Sequence, residues 1–306
     1  MSLSLAEAAK LSNDILLQGV VETVVKDSPV LQRLPFIEIV GNGLTYNREN
    51  TLPSVDFYDV GDTWAESTPT FSQYTATLKI MGGDADVDNF LKATRSNIQD
   101  LEAAVIELKA KALRHKFEET FVYGDSDTSA KQFDGVRKLV DTATASDQVI
   151  AMGATGATLT LTRIDELIDA VKGGKPDLLL MSHRSRRKIK QLTRAAGFNL
   201  ESDRNEFGMM LERYNGIPIG VSDWVLDTHT VASSLETATT GGSCSTIYAL
   251  SLGEGALCGL TAPGHITVEP VGALETKDAS RTRIKWYCSL ALFSQLKAAA
   301  LIGVKD

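Results

Sequence analysis

The histidines and the short sequence motifs are the first places to look for catalytic chemistry. Four histidines are spread along the 306-residue chain without the spacing that metal ligands usually show: His115, His183, His229 and His265. The sequence also lacks the glycine-rich phosphate loops, the Gly-x-Ser-x-Gly elbow and the His-Glu-x-x-His metal motif. We therefore predict no catalytic residue, no metal site and no cofactor, and we expect that the chain is not an enzyme.

A triplet of alternating aspartates is the strongest local hint of a cation site. Asp84, Asp86 and Asp88 match the start of a calcium-binding loop, but glycine and glutamate do not follow at the offsets that such a loop requires. A helical pattern follows the triplet, and acidic residues at a helix N-terminus are stabilised by the helix dipole. We therefore interpret the triplet as the start of a helix.

A basic run is the strongest concentration of one charge. Its members are Arg184, Arg186, Arg187, Lys188, Lys190 and Arg194. Such a run can bind an anion or nucleic acid, or it can be a helix face opposite an acidic neighbour. No aromatic residue interleaves to stack on bases, and the net charge of −8 argues against a dedicated nucleic-acid binder. We therefore favour the second interpretation, a helix face that lies opposite an acidic neighbour.

The composition limits the class of protein. The chain is 43% hydrophobic and 23% charged, an ordinary globular balance. Three cysteines, Cys244, Cys258 and Cys288, are odd in number and widely spaced, which indicates reduced, buried thiols. No signal peptide is visible, and the most apolar tract, residues 288–304, is too short and too polar to cross a membrane. We expect a cytosolic chain without a membrane partner.

An extended hairpin is predicted between residues 35 and 83. Two β segments flank a long connection, and the second segment alternates Tyr74 and Ala76 against threonines. The connection is too long for a compact domain, and a lone hairpin needs another surface to be stable. We therefore predict that its tip contacts a neighbouring subunit. The tip residues assigned to this contact are Asp56, Asp59, Asp62, Trp64 and Glu66.

One long helix is predicted from about residue 86 to residue 122. Leu101, Val105, Leu108 and Ala112 follow one another at helical spacing, and a second stripe continues it: Leu113, Phe117 and Phe121. Glu107 and Lys111 form a favourable pair four residues apart. We predict that a neighbour's acidic hairpin tip docks on the cations of this helix or on the basic run. The helix cations are Lys109, Lys111 and Arg114.

The second half of the chain has an α/β pattern. Thr162 and Asp165 resemble a capping box before a short apolar helix, and Ser182 can cap the basic helix that follows the strand "DLLLMS". Residues 253–255 are interpreted as the turn of a hairpin. The last strand alternates apolar Ile284 and Trp286 with polar neighbours.

The stretch "FVYGDSDTSAKQFDGV" (121–136) ends the long helix. We predict that Gly124 stops the helix in a left-handed conformation and that Asp125 bonds the turn backbone. With the order of parts, this stretch resembles the major capsid proteins of tailed bacteriophages with the Hong Kong ninety-seven-type fold. The matching residues are Phe121, Tyr123, Gly124, Asp125, Phe133, Gly135 and Val136. The segments "DLLLMSHRSRRKIKQL" and "NGIPIGVSDWV" resemble strands and a helix of that family's axial domain.

The resemblance implies an α+β fold with four parts. These are an N-terminal arm (1–34), an extended hairpin loop (35–84), a peripheral domain with the spine helix (85–150 and part of the C-terminal strands), and a mainly axial domain (151–306). It implies a shell protein that assembles into pentamers and hexamers of an icosahedral head around double-stranded DNA. The implied partners are other copies, separate scaffolding, portal and decoration proteins, and non-specifically contacted DNA. The implied location is the virion, after assembly in the host cytoplasm.

Two alternatives remain open at this point. One is the shell protein of an encapsulin-type nanocompartment, and the other is a soluble α/β enzyme with an unrecognised site. Some members of the resembled family carry a scaffolding segment before the arm, and we expect none here. Others weld their shells through a hairpin lysine, but no lysine lies between Lys26 and Lys79, and Arg48 is a poor nucleophile. We therefore expect a non-covalent shell.

Overall fold

The computed structural model describes residues 28–51, 53–90, 101–141, 146–153, 155–204, 210–230 and 241–305. The predicted N-terminal arm therefore lies largely outside the described residues. The helices are α1 (Leu101–Tyr123), α2 (Val136–Asp141), α3 (Leu161–Ala170) and α4 (His183–Ala195). The first strands are β1 (Phe36–Glu38), β2 (Gly43–Thr51), β3 (Thr70–Thr77), β4 (Lys79–Asp88), β5 (Val149–Ala151), β6 (Ala157–Thr158) and β7 (Leu178–Met181). The remaining strands are β8 (Glu201–Arg204), β9 (Met210–Tyr214), β10 (Ile217–Val221), β11 (Ser245–Leu250), β12 (Leu257–Ala273), β13 (Ala279–Leu292) and β14 (Ala298–Lys305).

A four-stranded sheet has the order β1-β12-β13-β4. Its long strand β13 alternates as predicted, because Ile284 and Trp286 are buried while Arg283, Lys285 and Tyr287 point outward. Ser289 departs from this alternation and is buried. One face of the sheet is therefore a core surface, and the other faces solvent.

Helix α1 packs on the buried face of this sheet. Phe117 stacks on Trp286 with ring centroids 4.8 Å apart, and Phe36 lies 5.5 Å from the same indole. The predicted stripe of Leu113, Phe117 and Phe121 is confirmed, and all three side chains are buried. Leu108 is 65% exposed, so the buried stripe runs through other residues in the preceding turns. These residues are Ile106 and Ala110.

The predicted start of the spine helix at residue 86 is wrong. Strand β4 continues to Asp88, helical geometry begins at residue 89, and residues 91–100 lie outside the described ranges. The aspartate triplet alternates with buried Ala85 and Val87. That alternation has a period of two residues, which is the period of a strand and not of a helix.

A second, eight-stranded sheet buries both of its faces. Its main path is β5-β14-β11-β7-β10-β9-β8, and β6 also pairs with β14. On β14, Ala300 and Ile302 join the core under α1, while Ala299 and Leu301 join a second core. Helices α3 and α4 cover this second face with their apolar side chains. The central strand β7 is consequently apolar and buried at every position.

One of the two helix caps predicted for the second core is confirmed, and the other is wrong. Ser182 caps α4, since its hydroxyl oxygen accepts a hydrogen bond from the Ser185 amide at 3.2 Å. The capping box of Thr162 with Asp165 is wrong, because α3 begins after Thr160 and Thr162 lies inside the helix. Asp165 instead accepts a hydrogen bond from the Tyr214 hydroxyl at 2.9 Å. Its role is to tie α3 to β9.

The hairpin predicted at residues 253–255 is also wrong. Strand β11 is flanked by β7 and β14, whereas β12 pairs with β1 and β13 in the other sheet. Because both edges of β11 are occupied, β12 cannot pair beside it. The turn therefore carries the chain from one sheet to the other.

The three cysteines are buried and free, as their spacing predicted. Burial raises the pKa of the Cys258 thiol to about 12. None of the described helices is long and apolar enough to cross a membrane.

Candidate assembly interface

The extended hairpin consists of β2 and β3, which pair antiparallel from Gly43–Thr77 outward. Its residues alternate between an exposed face and a face turned to the protein. Tyr46 and Tyr74 lie on the inner face with ring centroids 6.3 Å apart. Thr45 and Thr75 share a hydrogen bond of 3.0 Å on the outer face. The predicted alternation in the second segment is confirmed up to Ala76, whereas Ile80 in β4 is 79% exposed.

The base of the hairpin is packed on the four-stranded sheet. A small core forms where β2 and β3 meet the ends of β12 and β13. It contains Ile39, Cys258, Leu260 and Ala291, with Leu44, Tyr46, Ala76, Leu78 and Phe293 packed against it. The Tyr46 and Phe293 rings lie 4.8 Å apart. The proximal half of the hairpin is therefore part of the folded body.

The distal loop, residues 53–69, is exposed. Val55, Phe57 and Val60 are 93% or more exposed, and Trp64 is 76% exposed. Trp64 stacks on Tyr58 with ring centroids 4.4 Å apart. Apolar side chains presented so completely to water are typical of a surface that another molecule covers.

The loop is nevertheless organised by its own hydrogen bonds. Asp62 Oδ2 accepts a bond from the Asp59 amide at 2.7 Å, and Ser67 Oγ accepts one from the Ser54 amide at 2.7 Å. Residues 53–69 contain four acids and no lysine or arginine. The predicted contact residues Asp56, Asp59, Asp62, Trp64 and Glu66 are thus all exposed on one preformed acidic and aromatic element.

A second acidic loop, residues 124–135, is neutralised by the chain itself. Lys138 Nζ lies 2.8 Å from Asp125, 2.8 Å from Asp127 and 3.0 Å from Asp134. The hydrogen bond from Lys138 holds the pKa of Asp125 well below its usual range. Burial opposes the charge on Lys138, but the three carboxylates more than offset it and raise the pKa of the amine. Sequence reasoning missed Lys138, although its spacing of four from Asp134 was available as a signal.

Gly124 of that loop is required because a side chain would not fit there, and not because of a left-handed backbone conformation. The predicted left-handed stop at Gly124 is wrong, since its φ is not positive. A Cβ atom on Gly124 would lie 2.2 Å from the Phe133 carbonyl oxygen and 2.5 Å from that of Thr120. The loop therefore folds back tightly on the helix end, and buried Phe133 lies 5.7 Å from Phe117. The predicted bond from Asp125 to the turn is confirmed, because its carboxylate accepts a bond from the Asp127 amide at 3.0 Å.

A ladder of arginine and aspartate pairs lines the solvent face of β4 and β13. Arg281 makes two hydrogen bonds of 2.6 and 2.7 Å to Asp86, and Arg283 makes two of 2.6 and 2.9 Å to Asp84. Hydrogen bonds from Arg283 and Arg281 lower the pKa of Asp84 and Asp86, respectively. The matching alternation of the two segments was the signal that sequence reasoning overlooked.

One of the three spine cations on α1, Lys109, lies close to this ladder. Lys109 lies beside Gly83 and adds its positive charge to the surroundings of Asp84. Lys111 is 2.7 Å from Glu107, which confirms the predicted pair. Arg114 Nη2 lies 3.3 Å from His115 Nε2.

The same helix carries a buried carboxylate that sequence reasoning missed. Glu118 is 8% exposed. Burial raises its pKa, although a hydrogen bond from Ser28 and the charge of Arg114 oppose this effect.

Two members of the basic run, Arg184 and Lys190, bond to groups of the same chain. Arg184 donates to the Ser243 carbonyl oxygen at 2.9 Å and lies 3.5 Å from Asp227. Lys190 pairs with Glu212 on β9. Arg187 is exposed, while Arg186 and Lys188 are half-buried. The acidic-neighbour interpretation therefore holds for Arg184 and Lys190.

The exposed features of the described residues suit association with another molecule. Within the described ranges, no group of three or more histidine, cysteine or acidic side chains is placed to hold a metal ion. The features that stand out are an exposed acidic and aromatic tip on an anchored hairpin, and a charged sheet face beside α1.

A family model matches most of the chain. The family described as SU10 major capsid protein matches residues 61–293, which is more than two thirds of the sequence. No curated protein gives a significant match.

Solved structures resemble this one at low sequence identity. The holo-SrpI encapsulin complex from Synechococcus elongatus PCC 7942 has a TM-score of 0.68 and 17% identity, covering 100% of this chain and 97% of that one. The capsid of the native GTA particle has a TM-score of 0.64 and 12% identity, covering 92% and 90%. A structure from Microbacterium phage Oxtober96 has a TM-score of 0.63 and 15% identity, covering 92% and 91%.

Proposed function

The chain belongs to the SU10 major capsid protein family, and we propose that its copies assemble as pentamers and hexamers into an icosahedral head that encloses double-stranded DNA. Its fold is the predicted Hong Kong ninety-seven-type α+β fold. It is a structural subunit of a phage-like shell. We further propose that the shell assembles in the host cytoplasm.

One observation carries the proposal: a hairpin whose base is buried and whose tip is bare. A compact monomer gains nothing from holding Phe57 and Val60 fully in water on an anchored element. A neighbouring copy that covers the tip would recover the hydrophobic free energy. Each subunit would then bury more surface in the shell than it can bury alone.

The tip acids have a candidate partner on the spine of the neighbouring copy. Lys109 of α1 and Arg187 of the basic run are exposed, whereas Lys111, Arg184 and Lys190 already bond within their own chain. We propose that the tip docks on Lys109, with Lys111 and Arg114 on the same helix. The alternative is the basic run at Arg186, Arg187 and Lys188. Surface ion pairs are individually worth about 0–1 kcal/mol, but a shell repeats them many times.

We further propose that the chain is divided into arm, hairpin, peripheral and axial parts. We also propose that separate scaffolding, portal and decoration proteins take part in assembly. With a net charge of −8, the shell would hold DNA by confinement more than by specific contacts. Empty shells should therefore form without nucleic acid.

An encapsulin-type nanocompartment is the second candidate, favoured by the likeness to the encapsulin structure over the full chain length. Purification of the full chain, followed by size-exclusion chromatography and electron microscopy, tests both. Megadalton particles support a shell protein, and a small soluble oligomer contradicts it. Nuclease-protected DNA inside particles from the native source supports the head, whereas enclosed protein without DNA supports the nanocompartment.

The shell is proposed to be held by non-covalent contacts. The hairpin tip has no lysine, and Lys79 at the hairpin base donates to the Ala130 carbonyl oxygen at 2.8 Å. Particles boiled in detergent and reducing agent should give a single band near 33 kDa. A ladder of larger species that survives this treatment would show covalent joining.

A further inference from the structure

Arg48 is an unusual buried side chain at the base of the hairpin. It is 6% exposed, and its Nη1 atom has no hydrogen-bond partner. Among the side chains that the structure describes, no carboxylate pairs with it. Burying a charge costs free energy, so its hydrogen bonds and its contact with the Tyr74 ring have to offset that cost.

The guanidinium joins the hairpin to the last residue of β13. Nε donates to the Leu292 carbonyl oxygen at 3.1 Å, and Nη2 donates to the same oxygen. The charged carbon lies 4.1 Å from the centroid of the Tyr74 ring, and Nη2 is 3.4 Å from the Tyr46 hydroxyl. One planar group thus contacts both strands of the hairpin and the sheet below.

We propose that Arg48 is a positioning residue that sets the direction of the hairpin, and thereby where its tip meets the next copy. This inference rests on the proposed function. Tyr74 stacks on the guanidinium within the hairpin, whereas both bonds to Leu292 cross to the sheet below. A rotation of the hairpin on the sheet would therefore break the two bonds to Leu292 together. The planar fork gives more angular restraint than an aliphatic contact of the same size.

Small errors at the base become large at the tip. Thirteen positions separate Arg48 from Gly61 in the middle of the distal loop, which corresponds to at most about 40 Å of extended chain. A tilt of about 10° at that reach would move the tip by about 7 Å, well beyond the length of a hydrogen bond. Tip contacts with a neighbour would be lost although the subunit stays folded.

Arg48→Met separates positioning from stability. Methionine keeps an unbranched apolar stem but removes the charge and the donors. Replacing a buried charge by an apolar group is commonly neutral or stabilising. The control is Arg281→Met, which makes the same chemical change on β13 of the four-stranded sheet, away from the hairpin.

The direction is measured as a distance between two spin labels, at Asp59→Cys on the tip and Lys116→Cys on α1. The native cysteines are at most 2% exposed and should not react. In unassembled chains we expect a narrow distance distribution for the parent and for Arg281→Met, and a distribution at least twice as wide for Arg48→Met. Arg48→Lys, which keeps the charge without the fork, should be intermediate.

Assembly provides the second readout. Arg48→Met should melt within a few degrees of the parent and yet form at least tenfold fewer particles. An unchanged distance distribution in Arg48→Met would overturn the inference, whatever happens to assembly. If Arg48→Met has a much lower melting temperature than the parent, the test uses the folded Arg48→Lys chain instead. A distance distribution in Arg48→Lys as narrow as that of the parent would also overturn the inference. Failure of the parent to form particles would refute the proposed function, while the distances would still test Arg48.

Discussion

Two acidic loops of this protein have similar compositions and opposite surroundings. In the loop of residues 124–135, three aspartates converge on Lys138, and Phe133 is buried beneath them. In the distal loop, residues 53–69, the acids have no cation within the loop, and Phe57 is fully exposed. The first loop satisfies its charges and apolar groups within the chain. The distal loop leaves its acids and its apolar side chains exposed, where another molecule can cover them.

This difference distinguishes architecture from recognition. A loop that carries its own counter-charge and a buried anchor contributes to the stability of the subunit. A loop that is organised but uncovered contributes little to the subunit and much to any complex that covers it. Substitutions in the two loops should therefore affect different measurements.

The largest expected effect is on assembly. Changing Asp56, Asp59 and Asp62 to Asn and Glu66 to Gln should leave the melting temperature unchanged and reduce particle yield by at least tenfold, because the complementary charge of the tip is gone. Electron microscopy and sedimentation measure the yield. A control with equal charge change alters four exposed acids elsewhere: Asp147, Glu166, Asp169 and Glu254. If the tip variant forms normal particles, the tip acids are not part of the interface.

A pair of glycine substitutions compares the loops directly. Gly124→Ala should destabilise the subunit by about 3 kcal/mol or more, because the new Cβ meets two carbonyl oxygens. Gly61→Ala, in the distal loop, meets no atom within 4 Å and has only the strain of φ +97°. It should cost about 1–2 kcal/mol, the usual penalty for an L residue at positive φ. Denaturant unfolding measures both, and equal effects would contradict the distinction.

Removing the internal counter-charge should have a smaller effect. Lys138→Met leaves three carboxylates without their cation and should lower stability by about 2 kcal/mol at pH 7. The pKa of Asp125 is lowered, so its contribution is present above the usual aspartate range and is lost as the pH falls through the lowered value. The difference between variant and parent should consequently shrink in strong acid. Lys131→Met, on the exposed side of the same loop, is the control.

The smallest effect concerns Glu118, the buried carboxylate of the spine. Because its pKa is raised, the folded state favours the neutral acid, and stability is lost as the pH rises through that pKa. Glu118→Gln should therefore melt a few degrees above the parent at pH 7 and equal to it at pH 4. Glu119→Gln, which makes the same change at a partly exposed position of the same helix, is the matched control. A lower melting temperature for Glu118→Gln at pH 7 would mean that its hydrogen bonds outweigh its burial.

Local periodicity explains most of the correct sequence predictions. The stripe of Leu113, Phe117 and Phe121, the alternation in β13 and the Ser182 cap all depend on residues within a few positions of one another. The exposed acids of the hairpin tip were also recognisable, because a long acidic and aromatic connection cannot be buried. The same reasoning failed for the aspartate triplet, where a strand period was read as a helix start.

The residue pattern predicts the helices and most strands, and it predicts that the hairpin needs a partner. The tertiary fold decides which distant groups meet. Arg48 bonds to Leu292 across 244 positions, and Asp84 pairs with Arg283 across 199. It also decides that β11 and β12 belong to different sheets and that Gly124 is required by a close approach. The physical reason is that helix and strand patterns depend on neighbouring residues, whereas charge pairing, burial and sheet membership depend on where the whole chain places segments remote in sequence.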